Sequence, residues 1–347
     1  MYEKYMTGKS YWKEALPSMS AFADAKEYEL LDGAGSTVRA VHMYTGSGLD
    51  FWVYPGRGLD IGEASYNGAP VSYVTKNGVK NPAQLWAGDF ERNFFAGLLT
   101  TCGLDNAGGA CEVDGDFFPT HGRLNLTPAQ SYTIKKYWEE EKYFVECSGQ
   151  VRLSALFGEN LVLRRRIRIQ AGVSKIFLKD EIVNEGYVKA GYMLLYHCNF
   201  GYPVVSDDSV VVTNHRRIEY LDEQSEKLGR DGKELSAPVP GQPQSAFTRW
   251  EPKEGRVKAA VINTKLRLGA AVECDGRELD RFCEWMSLAS NDYAVGLEPG
   301  KNGPDGRKKA LEDGTVIWLG AQQTHTAELE FKILADDQAE EYLAALS

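Results

Sequence analysis

Apolar and polar positions alternate with a period of two in segment after segment of this chain. Ser36 to Tyr44 (STVRAVHMY), Tyr143 to Leu153 (YFVECSGQVRL), Leu161 to Ile169 (LVLRRRIRI) and Glu328 to Leu334 (ELEFKIL) all carry β-branched or aromatic residues in this rhythm. Side chains of an extended chain point alternately to opposite faces, so each segment predicts a strand with one face buried. Asp-Gly and Asn-Gly pairs, as at Asp32-Gly33, Asn67-Gly68, Asp114-Gly115 and Asp275-Gly276, punctuate the strands with the chemistry of tight turns. Helical spacing is rare. The clearest case is Asp336 to Ser347, with Asp336 as candidate N-cap and Ala339, Tyr342, Leu343 and Leu346 on one face. Strands in series without alternating helices predict an all-β fold with few short helices, largely antiparallel and of sandwich type. Glu223 to Gly255, rich in Gln, Pro, Gly and charge, reads as a long excursion between strands, either a surface insertion or a lid.

Composition then narrows the function classes. With 43% hydrophobic and 25% charged residues the chain can bury a large core. No repeat or linker divides it, so one domain over residues 1–347 is expected, with 1–47 as N-terminal extension and first strands and 336–347 as terminal helix. No apolar run approaches the ~20 residues that span a bilayer, and the start, MYEKYMTGKSYWKEALPS, lacks the features of a secretory signal. A cytoplasmic protein away from membranes is expected. The net charge of -10 would repel a polyphosphate, which argues against nucleic acid as a partner. The six cysteines form no C-x-x-C pair, so neither a zinc knuckle nor a disulfide framework is predicted, and the thiols read as reduced and buried. Gly8-Lys9-Ser10 lacks the upstream glycine of a phosphate loop, and Gly56-Arg57-Gly58 with Gly62 misses dinucleotide spacing by one residue.

Two segments carry the candidate chemistry: Tyr196 to Pro203 (YHCNFGYP) and Val295 to Pro304 (VGLEPGKNGP). On a strand, His197 and Asn199 share a face while Tyr196 and Cys198 take the other, which argues against a cysteine–histidine dyad. Glu298 follows the apolar run Ala294 to Leu297 and precedes Pro299, so it should sit at a strand end, partly out of water and with raised proton affinity. Such a carboxylate would also help keep His197 protonated. A facing acid and base is the minimal equipment for opening a sugar hemiacetal. Taken singly, His197 is equally a structural strand histidine and Glu298 a loop carboxylate in a salt bridge.

Other candidates carry paired readings. His121 and Arg123 in PTHGRLN, after the glycine-rich TTCGLDNAGG, are sugar-hydroxyl ligands or turn stabilisers. Arg57 and Asp60 in YPGRGLDIG are sugar ligands or an ion pair across a turn. Arg164, Arg166 and Arg168 share one strand face, a stripe either paired with nearby acids or suited to an acidic sugar. Trp52, Trp86 and Trp285 are core or a stacking face for a sugar. His42, His215 and His325 read as structural or solvated.

YHCNFGYP, THGRLN, TTCGLDNAGG and VGLEPGKNGPDG together resemble the galactose mutarotase-like (aldose 1-epimerase) superfamily, and more closely a bacterial subfamily of it without assigned substrate. The likeness runs from about Gly48 to Leu334. It implies a β-supersandwich whose concave sheet holds a monosaccharide or a derivative, with no cofactor and no metal; a homodimer is compatible with it. It also implies His197 as general acid, Glu298 as general base and His121 as a ligand near the ring oxygen; Asn199, beside His197 on the strand face, offers an amide for a sugar hydroxyl. The better-known galactose mutarotases have G-R-x-x-N-R where this chain has FFAGLLTTCGLDN, and an asparagine-threonine-asparagine run where it has MLLYH. Those departures leave the sugar unassigned, and the resemblance places no hydroxyl-binding aspartate. The alternatives are a lyase or epimerase acting on a modified sugar in the same pocket, and a non-catalytic carbohydrate-binding protein.

Overall fold

The computed structural model describes residues 9–86, 88–214, 216–228, 235–251 and 255–346; His215 lies outside them. The strands form two large sheets, a five-stranded one and a two-stranded hairpin, Cys111–Val113 with Asp116–Phe118. In the eight-stranded sheet the order is Ser209–Thr213, Arg256–Asn263, Leu268–Asp275, Thr324–Ala335, Lys175–Asn184, Asn160–Gln170, Lys142–Ser154, Ser131–Glu139, with every neighbouring pair antiparallel. The second large sheet is built around Arg281–Ala289, Asp292–Gly300 and Ala190–Gly201, and the short strand Thr100–Leu104 also pairs with Ala190–Gly201. Five strands from Asp24–Glu29 to Ala69–Pro70 make the third.

Alternation is clear along one strand of the eight-stranded sheet, hereafter the outer sheet. Along Asn160–Gln170, Leu163, Ile167 and Ile169 are buried while Arg164 and Arg166 face solvent. The outward arginines find acids: Arg164 pairs with Glu185 at 2.9 Å, Arg166 with Glu146 at 3.5 Å and Arg168 with Glu139 at 3.5 Å. Ala190–Gly201 behaves differently. Every residue except Gly191 is buried, because this strand lies mid-sheet with the core on one face and the loops over residues 90–125 on the other.

The terminal helix forms over Asp337–Leu346. Ala339 is buried, and Tyr342, Leu343 and Leu346 pack on Val212, Ala260, Ile262 and Leu334 of the outer sheet. Within the excursion Glu223 to Gly255 the described residues include regular elements. Glu223–Leu228 is a helix whose first turn is acidic and whose Ser225 N–H donates to Asp222 Oδ1 at 2.6 Å, and Ser245–Glu251 is a strand paired with Arg281–Ala289.

Between the two large sheets lies a buried ionic cluster. Arg165 Nη2 and Nε donate to Asp180 at 2.6 and 2.9 Å, and Nη1 donates to Asp60 Oδ1 at 2.7 Å. Thr101 donates through both N–H and Oγ1 to Asp60, and the Tyr196 hydroxyl donates to Asp180 at 2.8 Å. Asp60 is therefore a strut between sheets and does not face a sugar. The reason is register: Asp60 opens the strand Asp60–Tyr66 on its inward face, where only Arg165 and Thr101 can satisfy it.

Candidate active site

His197 and Glu298 are far apart in sequence and neighbours in space. The register that pairs Leu195 with Gly300 and Cys198 with Leu297 sets His197 opposite Glu298 on adjacent antiparallel strands, with both side chains on the same face. His197 Nε2 lies 3.3 Å from Glu298 Oε1. This is ion-pair distance without hydrogen-bond alignment, and His197 Nδ1 and both Glu298 oxygens have no hydrogen-bond partner. Gly296, two residues before Glu298 on that face, makes the arrangement fit: a Cβ there would come within 2.7 Å of Glu298 Oε1 and 3.2 Å of Trp285.

The pair is buried, His197 at 3% and Glu298 at 0% exposure. Burial disfavours charge, so the Glu298 carboxyl is pushed up to about 8. Burial, and then the neighbouring His121 imidazole, hold His197 well below the usual histidine value. The raised proton affinity of Glu298 agrees with its strand environment. The expectation that this carboxylate keeps His197 charged does not: burial favours the neutral imidazole and the protonated carboxyl.

His197 opens onto a cavity of about 620 Å³. Phe94 and Trp285 stand 5.3 and 5.4 Å from its ring, and Phe90 stacks on Phe94 at 4.7 Å. His121 meets His197 edge to face at 5.6 Å. Its Nδ1 accepts from the Gly108 N–H at 3.2 Å, which leaves Nε2 carrying the proton. Burial lowers His121 to about 4, so it is a neutral donor at physiological pH. Glu298 itself is not on the cavity wall and lies directly beneath His197.

The structure thus brings His121, His197 and Glu298 together. The remaining predicted ligands lie outside this group. Arg123 grips Asp105 and the Phe117 carbonyl, so its guanidinium stabilises the turn that holds His121. Asn199 is buried on the face of His197, but its amide donates to the carbonyls of Gly97 and His197. Arg57 is buried under the turn, donating from Nε to Asn125 O at 2.9 Å and from Nη2 to Asn93 O at 3.1 Å, with Phe95 against its guanidinium. It neither lines the cavity nor closes an ion pair with Asp60. His42 pairs with Asp50, and His325 meets the Tyr192 hydroxyl at 3.0 Å, both away from the cavity.

Sequence reasoning missed Phe90 and Phe94, which open and cap the short helix Phe90–Asn93, a segment with no motif. It also missed Arg165, although its position between Leu163 and Ile167 on the apolar register marked it as inward-facing. Gln242 and Gln244 show that the excursion contributes to the cavity wall, beside Leu221 just before it. Among the described residues no His, Cys, Asp and Glu set converges as a metal site, and no helix is long and apolar enough to cross a membrane.

A family model described as a domain of unknown function, DUF4432, matches residues 35–333. Among curated proteins no relative matches. Solved structures match over most of the chain. A Klebsiella pneumoniae protein provisionally described as an aldose 1-epimerase superposes with TM-score 0.87 at 20% identity, covering 93% of this chain and 87% of its own. A galactose mutarotase-like protein from Clostridium acetobutylicum gives 0.61 at 14% identity, with 90% and 98% covered. A galactose 1-epimerase from Lactobacillus acidophilus gives 0.55 at 11%, with 90% and 99% covered. The architecture is the galactose mutarotase-like fold.

Proposed function

The chain belongs to the DUF4432 family, and from that premise we propose that it is an aldose 1-epimerase, interconverting the α and β anomers of a reducing sugar. The observation that carries this reading is the His197–Glu298 pair, 3.3 Å apart at the floor of a cavity, with three polar atoms lacking protein partners. The two oxygens of a hemiacetal sit on one carbon ~2.3 Å apart, and each needs its proton partner within ~2.6–3.2 Å. Two adjacent cross-strand side chains suit that spacing.

As the sugar enters, its hydroxyls hydrogen-bond the carboxylate and imidazolium forms better than the neutral ones, and the proton passes from Glu298 to His197. Glu298 then takes the proton from the anomeric hydroxyl while His197 delivers one to the ring oxygen. The bond between C1 and the ring oxygen breaks and C1 becomes an aldehyde. Rotation about C1–C2 presents its other face, and the reverse transfers close the second anomer and restore both groups. The neutral His121 Nε2–H donates toward the ring oxygen. Substrate carbon skeleton and mass are unchanged, as the proton balance requires.

The depth of Glu298 behind His197 favours a second reading of its role, in which it charges and orients His197 without touching the sugar. Magnetisation-exchange NMR on a panel of reducing sugars separates these. Loss of exchange in both His197→Asn and Glu298→Gln, by roughly 10²- to 10⁴-fold each, supports direct proton transfer. A Glu298→Gln variant that keeps most of its rate but shifts its pH profile supports the orienting role. No exchange by wild type on any sugar, with binding retained, would replace the enzyme reading by a carbohydrate-binding one.

A further inference from the structure

The cavity has more room, and a more varied wall, than one sugar ring uses. A pyranose of about 12 non-hydrogen atoms fills roughly 200 Å³ at the packing density of protein interiors, against about 620 Å³ here. The two ends of the cavity differ in chemistry. At the floor, Phe90, Phe94 and Trp285 surround the two imidazoles, and such ring faces stack on the C–H faces of a sugar.

At the mouth the lining is polar and solvent-facing. Lys76 Nζ meets Asp292 Oδ2 at 2.7 Å, the Tyr73 hydroxyl reaches Asp292 Oδ1 at 3.3 Å, and the Lys76 and Asp292 side chains are 68% and 41% exposed. Gln242, from the excursion, and Glu91 complete this rim. Ammonium, carboxylate and amide groups offer the mixed donors and acceptors that vicinal hydroxyls need. Among the described lining residues Lys76 is the one full cation, and Asp292 already compensates it, while Glu91 adds a further negative charge. A carboxylated or phosphorylated unit would therefore be repelled at the mouth.

We propose that the outer half of the cavity is a second sugar subsite, and that the ligand is a neutral reducing disaccharide whose reducing ring reaches His197 and whose second ring lies against Lys76, Asp292 and Gln242. This rests on the mutarotase reading for the ring at the floor. The volume, the change from aromatic to polar lining with rising exposure, and the lack of an uncompensated cation point the same way.

The test compares glucose with maltose, cellobiose and lactose, and with a reducing disaccharide whose outer ring is a uronate, by calorimetric titration and by exchange NMR. At least one neutral disaccharide should bind about tenfold more tightly than glucose, with the uronate form no better than glucose. In the Lys76→Met, Asp292→Asn double variant the disaccharide-to-glucose ratio of Kd, and of kcat/KM, should fall to within about threefold of one. A ratio does not depend on the fraction of protein folded. Anomer exchange on glucose with no disaccharide preference overturns the subsite and leaves the mutarotase reading standing. Tight disaccharide binding without exchange does the reverse. A preference undiminished in the double variant overturns the assignment of the subsite to these residues.

Discussion

Replacing Glu298 by glutamine should stabilise the protein at high pH while removing its activity. The carboxyl is fully buried and sits at about 8, against 4.5 for the same group in water. The folded protein therefore holds a proton that the unfolded chain releases between these values. Linkage fixes the sign: a raised carboxyl contributes stability that is intact below 4.5 and lost as pH rises through about 8. At 1.36 kcal/mol per tenfold change in proton affinity, the full loss is at most about 5 kcal/mol. Relaxation of the protein around a buried charge offsets part of this, so we expect about 2–5 kcal/mol at pH 9 and under about 1 kcal/mol at pH 5. Glutamine keeps the shape without ionising, and any cost of its amide does not depend on pH. Urea unfolding of wild type and Glu298→Gln across this range, at constant m, gives the difference directly. A stability difference unchanged between pH 5 and pH 9 would mean that Glu298 titrates as an ordinary carboxyl, and the argument for a dry, proton-sharing pair would fail.

The same proton governs activity. The active pair carries one proton, so kcat/KM should stay flat from about 6.5 to near 8 and then fall as Glu298 loses its proton; a fall already under way at pH 6.5 contradicts this. Gly296→Ala forces a methyl within 2.7 Å of Glu298 Oε1, and exchange rate should drop by at least about tenfold as the pair is displaced, with near-wild-type exchange refuting the tight fit. Arg165→Met strands Asp60 and Asp180 without their cation and should cost about 3–5 kcal/mol at neutral pH. Adding Asp60→Asn and Asp180→Asn should recover most of that in the same unfolding assay, and failure to recover would show that packing, not charge, is what Arg165 supplies.

Legibility in the sequence followed the range of the interactions. Period-two alternation is a local consequence of strand geometry, so Leu161 to Ile169 declared both its strand and its buried face, and Ala339, Tyr342, Leu343 and Leu346 declared the face of the terminal helix. His197 and Glu298 were singled out as chemistry because their flanking residues, a Cys-Asn-Phe-Gly strand end and an apolar run before a proline, constrain them locally. Arg57 and Asp60 look alike on the page and end in different places: one under a turn against carbonyls, the other between sheets with Arg165.

Sequence by itself determined strand periodicity, the all-β class and the turn positions, and it marked His197 and Glu298 as candidates, because each depends on residues within a few positions of one another. Only the tertiary structure decided that strands a hundred residues apart align so that His197 faces Glu298, that Phe90 and Phe94 wall the cavity, and that burial raises the proton affinity of the carboxyl while lowering that of the imidazole. Those outcomes depend on register between distant strands and on exclusion of water, and neither is encoded at any single site in the chain.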